Sequence, residues 1–142
     1  MKNELDIFQA IKSTGIEVLK DYGDKGLSEL GEIFDKELLE GIPYVSTIVN
    51  TATLGSTIKK YSFAKKIIRF LTQLESVPLV ERENFIQKLE NTKDSKKVGE
   101  KLILLIDSLD DDDKADMIGK AFKKTIEGKM TINNFQKNSF RN

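Results

Sequence analysis

The chain has 142 residues, with 23 basic and 23 acidic side chains and no Cys, His or Trp. That length fits a single domain, and it allows roughly 68% of the unfolded chain's surface to be buried on folding. Without Cys there can be no disulfide framework, thiolate nucleophile, zinc finger or iron–sulfur cluster. Without His, the side chain best matched to proton transfer near neutral pH is absent, and Ser-His-Asp and Cys-His mechanisms are excluded. A net charge of zero does not suit a globally basic nucleic-acid binder, whose affinity rests on neutralising phosphates.

The opening MKNELDIFQAIKSTG carries acids early and lacks an unbroken apolar core, so no secretory signal is expected. Abundant Lys, Asn and Ile with few Pro give the composition of an AT-rich bacterial or phage genome, and a cytoplasmic location is expected. From there helical periodicity runs the length of the chain. Leu5, Phe8, Ile11, Ile16 and Leu19 fall on one stripe of a first helix. Gly23 and Gly26 bracket a break, because glycine tolerates the left-handed geometry that ends helices. A second helix carries Leu27, Leu30, Ile33, Phe34, Leu38 and Leu39 and stops at Gly41. Pro43 can open a third, its missing N–H costing nothing in a first turn.

A fourth helix is predicted from about Tyr61 to Glu75, with Phe63, Ile67, Phe70, Leu71 and Leu74 inward. Pro78 marks the next start, followed by the apolar Leu79, Val80, Phe85, Ile86 and Leu89. The polar stretch 91–97 reads as a connection with Asp94 or Ser95 as cap. Beyond it Val98, Leu102, Ile103, Leu105, Ile106 and Leu109 form a strongly apolar run. The five residues LILLI could by themselves be a strand, but length and neighbours favour a helix. Asp110 to Asp113 open another helix with Ala115, Ile118, Ala121, Phe122 and Ile126 on its buried side; Gly128 ends it, and TINNFQK starts a short last one. The expectation is an all-α fold: a compact bundle of six to eight short helices without a sheet, forming one domain over 1–142. Within it lie acidic N-terminal helices (1–40), an uncharged segment (41–58) and a C-terminal bundle (59–142).

The uncharged segment GIPYVSTIVNTATLGSTI covers 18 residues, of which eight are apolar and seven are Ser, Thr or Asn. It falls short of the ~20 predominantly apolar residues that a spanning helix needs, although small and hydroxyl residues can pack helices closely in lipid. Residues 1–40 carry a net charge of −5, and residues 59–71 a net +5 from Lys59, Lys60, Lys65, Lys66 and Arg69. Two readings follow. The segment is either a central helix of a soluble bundle followed by a solvated basic face, or a contact surface for a partner or an anionic membrane. In the second, Ile48, Val49, Leu54 and Ile58 supply the apolar contact, and Lys59, Lys60, Lys65, Lys66 and Arg69 the basic flank.

The run IDSLDDDDKADM places six acids within ten residues, at Asp107, Asp110, Asp111, Asp112, Asp113 and Asp116. Such oxygens suit a divalent cation, and Asp110, Asp111, Asp112 and Asp113 are the candidate ligands. The other reading is helix capping, since acids in a first turn offset the dipole and occupy free N–H groups. Around Gly128, residues 123–134 (KKTIEGKMTINN) approach a calcium-loop pattern, but Lys123 at its first place and Asn134 at its last point to a metal-free turn. The tail from Lys120 to Asn142 nets +5, with Lys120, Lys123 and Lys124 near one face and Phe135 and Phe140 among the bases. Such a tail could touch phosphate or RNA, but a solvated face beside an acidic run is the expectation. For catalysis the available pairs are Glu81 with Glu83 and Asp107 with Asp110, in solvating surroundings. No phosphate-binding, dinucleotide or nucleophile-elbow motif occurs.

Three stretches, KKIIRFLTQL, VERENFIQKLE and KVGEKLILLIDSLDDDDKADMIGKAFKKTIEGKMTINNF, resemble a little-characterised group of small helical proteins of bacteria and phages. These are similar in style to the TerB-like domain of tellurite resistance. The resemblance covers about half the chain, from Lys66 to Phe135. It implies a compact helical bundle preceded by a variable apolar segment, metal-holding acids near Asp110–Asp113, and stress or phage-related biology. Taken together, the expected function is that of a non-enzymatic helical interaction protein that binds a protein partner or itself. No cofactor, small-molecule substrate or nucleic acid is expected. The alternatives are a membrane-associating immunity or toxicity factor, peripheral at the inner membrane, and a domain that responds to divalent cations.

Overall fold

The computed structural model describes residues 3–12, 48, 57–93 and 95–139. Six helices lie among the described residues, and no strand does: α1 (Asn3–Ile11), α2 (Thr57–Thr72), α3 (Leu79–Glu90), α4 (Ser95–Ser108), α5 (Asp112–Ile126) and α6 (Ile132–Ser139). The all-α class is therefore as the periodicity requires. The helices predicted over 27–39 and after Pro43 lie outside the described residues, apart from helical Ile48.

The apolar stripes explain how these helices meet. In α2 and the turn after it, Phe63, Ile67, Phe70, Leu71 and Leu74 are all buried, joined by Ala64 and Ile68. In α1, Ile7, Phe8, Ala10 and Ile11 are buried together, so this short helix lies deep in the packing rather than along its edge. α2 packs most extensively against α5 and α1 against α4, while α3 touches α1, α4 and α5. One apolar cluster includes buried residues from all six helices together with Ile48. Phe122 of α5 stands at its aromatic centre. Its ring centroid lies 5.6 Å from Phe70, 5.6 Å from Phe85 and 5.3 Å from Phe135, tilted against the first and edge-on to the other two. Such geometries set a ring's positive edge against a negative face, and each is worth about 0.5–1.5 kcal/mol beyond burial.

LILLI forms part of helix α4, whose buried side is Val98, Gly99, Leu102, Ile103 and Ile106. Leu104 points to solvent and Leu105 is half-buried, because a 3.6-residue period cannot bury five consecutive side chains on one face. α3 departs further from expectation. Its buried positions are Arg82, Ile86 and Leu89, with Phe85 packed partly against the core, whereas Val80 is exposed. The inward stripe begins at an arginine, which turns Val80 outward.

The helix ends follow local chemistry. Asp111 is the N-cap of α5, and its carboxylate accepts from the Asp113 N–H at 2.8 Å. The Thr131 hydroxyl accepts from the Asn134 N–H at 3.1 Å, capping α6 in the same way. At the other end of α5, Gly128 has φ +81°. Its N–H donates to the Thr125 carbonyl at 3.2 Å, and the Lys129 N–H donates to the Lys124 carbonyl at 2.8 Å. This pair of bonds is a Schellman motif, so the glycine that resembled a calcium-loop turn closes a helix.

Candidate interaction face and the charge clusters

The basic flank of the uncharged segment lies on α2. Ile58, Lys59 and Lys60 are in the helical backbone of its first turn, and their side chains lie outside the described residues, as do Val49 and Leu54. Ile48 is fully buried in the shared core. Lys65 is half-buried. Lys66 is only 8% exposed, and its ammonium donates to the carbonyl of Leu109, the residue that follows α4. A cation there meets both an orphan carbonyl and the negative end of the helix dipole. Ile48 and Lys66 are thus turned into the fold rather than toward a bilayer or partner.

Arg69 serves the packing as well. Its Nε donates to Asp116 Oδ1 at 3.1 Å, and one terminal nitrogen donates to Asp116 Oδ2 and, at 3.0 Å, to Asp113 Oδ1. The two-point contact with Asp116 is the fork that suits a guanidinium to a carboxylate. Asp116 is 21% exposed at its side chain and Asp113 85%, so the first pairing is sheltered and the second open to screening. Gln73 adds a longer contact to Asp116 Oδ1 at 3.4 Å. This polar seam lies between α2 and α5 where Gly119 also permits close approach. A Cβ built on Gly119 would stand 2.8 Å from the Phe70 carbonyl oxygen and 2.8 Å from Gln73 Cβ.

The aspartates offered to a cation are distributed among these tasks. Asp111 caps α5, Asp113 shares Arg69 with Asp116, and Asp110 lies 3.5 Å from the Lys114 ammonium. The Asp112 side chain is not among those described. No three acidic side chains converge to hold a metal ion among the described residues. The carboxylates weighed for catalysis, Glu81, Glu83, Asp107 and Asp110, are all exposed. Phe135, read as an aromatic among tail bases, is buried against Phe122 and cannot stack on a nucleobase. Phe140 lies outside the described residues. No described helix is long and apolar enough to cross a membrane.

Two structural residues escaped the sequence reading. Arg82 is 1% exposed. Its Nε donates to the Val77 carbonyl at 3.0 Å, and a terminal nitrogen donates to the Ile11 carbonyl at 2.8 Å. It thereby fastens the last residue of α1 to the turn before α3, and an ion pair between Lys12 and Glu90 at 3.3 Å reinforces that junction. The signal was its spacing with Ile86 and Leu89, which puts a cation on an apolar stripe. Gly119 is the other. An isolated glycine inside a helical pattern costs about 1 kcal/mol against alanine, and here the close approach of α2 accounts for it.

Among the described residues the large exposed apolar side chains are Val80 of α3, Leu104 of α4 and Met117 on the far side of α5. Asp113, Lys114, Met117, Lys120 and Lys124 are all exposed, and Met117 is 67% exposed. An unbranched thioether on a charged face can adapt to a partner surface, and lysine stems can cover apolar area beside it. No family model matches this chain, and no curated protein or solved structure matches it either.

Proposed function

We propose that this chain is a non-enzymatic helical interaction protein that acts by binding a protein partner or a second copy of itself. The observation that carries the reading is the outer face of α5. There a large exposed Met117 lies among charged side chains, while the nearby polar groups Lys66, Arg69 and Asp116 are occupied in holding helices together. A face so placed presents a soft apolar spot ringed by charge on a supported helix, which suits macromolecular contact.

The absence of cysteine makes the test direct. Met117→Cys provides a unique thiol for attaching a photo-activated cross-linker. Light scattering on size-exclusion fractions, over a range of protein and salt concentrations, reports self-association. The expected result is either a concentration-dependent increase in mass, lost when Met117 is replaced by Glu, or a defined cross-linked adduct from the thiol at position 117 in a cell extract, lost when Lys120→Glu and Lys124→Glu are added beside that thiol. A constant monomer mass together with no defined adduct from position 117 overturns the proposal.

A further inference from the structure

The exposed charges of α5 are not scattered at random around Met117. With about 100° of rotation and 1.5 Å of rise per residue, Asp113 lies about 40° to one side of Met117 and about 6 Å before it. Lys120 lies about 60° to the same side and about 4.5 Å after it. Lys124 falls within about 20° of the Met117 line, two turns beyond. Asp110 sits as many residues before Met117 as Lys124 sits after it. Its carboxylate remains over the first turn, 3.5 Å from the Lys114 ammonium.

This arrangement is self-complementary under one symmetry operation. When two copies of α5 are laid antiparallel with a two-fold axis beside Met117, each residue faces the position equally far on the other side of 117, on the same edge of the helix. Asp113 of one copy then meets Lys120 of the other, Asp110 meets Lys124, and the two Met117 side chains meet at the axis. Lys114, the lysine that could have opposed Lys120, lies on the opposite edge, about 60° from Met117 in the other direction. It faces Ala121 instead. Asp113 can take part because its side chain is 85% exposed, with Oδ1 toward Arg69.

We infer that a second copy of this chain docks on the outer face of α5, antiparallel, with Met117 against Met117 and the pairs Asp113–Lys120 and Asp110–Lys124 repeated on either side. The inference rests on the reading of the chain as an interaction protein and narrows it to an isologous homodimer. Four exposed ion pairs around two thioethers make a small contact, so the dimer is a weak one that salt loosens.

The test uses the full chain with Met117→Cys as its sole thiol and measures the rate of disulfide-linked dimer formation under mild oxidation. Glu83→Cys, on the exposed side of α3, gives the collisional background. The expected rate for position 117 is at least about tenfold above that background and falls toward it in high salt. Adding Lys120→Glu with Lys124→Glu, or Asp110→Lys with Asp113→Lys, brings like charges together and returns each variant alone to background. Mixing the two variants restores the fast rate, because every pair is then of opposite sign. Melting temperature checks that each variant is folded; if Asp113→Lys fails that check, Asp110→Lys mixed with Lys124→Glu gives the same readout with a smaller change. A background rate for position 117, or a rate that charge reversal leaves alone, overturns the inference. If light scattering still shows association in that second case, the interaction reading stands and this geometry alone falls.

Discussion

Replacing Gly119 by Ala tests how closely α2 and α5 approach. In a solvent-exposed helix the change would stabilise by about 1 kcal/mol, since alanine is the better helix former. Here the added methyl would meet Gln73 Cγ at 2.7 Å, Gln73 Cβ at 2.8 Å and the Phe70 carbonyl oxygen at 2.8 Å. Gln73 Cγ can swing away, but Gln73 Cβ is fixed by its own backbone and the Phe70 oxygen is backbone in α2. The two helices must therefore separate by about half an ångström, a gap that forfeits a quarter or more of the dispersion attraction across the seam. The Phe70–Phe122 contact at 5.6 Å and the Arg69–Asp116 fork both span that seam. Overpacking of this kind costs about 1–3 kcal/mol, and loosening two spanning contacts puts it at the upper end. After the propensity gain, a net loss of about 1–2 kcal/mol is expected. Urea denaturation measures it directly, and Gln73→Ala in the same background removes the Cγ contact while leaving Gln73 Cβ and the Phe70 oxygen in place. Because the carbonyl and Gln73 Cβ both remain, that second change should recover less than half of the loss. An alanine variant as stable as the parent, or full recovery by Gln73→Ala, would refute the close backbone approach.

Two other substitutions probe the core and its buried cation. Phe122→Ala removes the ring shared by Phe70, Phe85 and Phe135 and should cost about 3–5 kcal/mol by urea denaturation, whereas Phe85→Ala, at a half-buried position, should cost clearly less; equal losses would contradict the central place given to Phe122. Arg82→Met keeps most of the volume but leaves the Val77 and Ile11 carbonyls without their donor, at about 1–3 kcal/mol for each buried group. Hydrogen exchange should then show the α1 amides losing protection before those of α2, with Arg82→Lys intermediate; a variant within about 0.5 kcal/mol of the parent would remove Arg82 from its fastening role.

The inward residues of α2 were legible because Phe63, Ile67, Phe70, Leu71 and Leu74 repeat at helical spacing, a property carried by the local sequence alone. The same holds for the run Asp110–Asp113 as a helix start, which the structure narrows to Asp111 as the cap, and for Gly128 as a helix end, where the relevant hydrogen bonds close within six residues. Lys66 and Arg69 were read as a solvated or membrane-facing flank for the opposite reason. Their partners lie 43 residues away at Leu109 and 47 residues away at Asp116, and no periodicity encodes a contact at such separation. Arg82 was missed because an arginine ordinarily marks the wet side of a helix. Its burial follows from two carbonyls, Ile11 and Val77, that only the assembled fold brings beside it. Met117 falls on the polar side of the α5 pattern, yet nothing local distinguishes it from a methionine covered by a neighbouring segment.

The charges of this neutral chain divide by what their partners are. Lys66 and Arg82 reach backbone carbonyls at the ends of α4 and α1, where aligned peptide dipoles favour a cation. Arg69 reaches Asp116 and Asp113, side chains in the first turns of α5. These cations bind within the fold, so reversing one would cost stability before it changed any surface. Lys120 and Lys124 are exposed on the same helix that carries those aspartates, and reversing them costs the fold little. Acids toward the start of α5 and lysines toward its end satisfy its dipole, and that same polarity makes the helix complementary to an antiparallel copy of itself. Stability favours the charge order in either case. The placement of Asp113 and Lys120 on one edge and Lys114 on the other is not required by the dipole, and it is this lateral asymmetry that mixing of oppositely reversed variants detects.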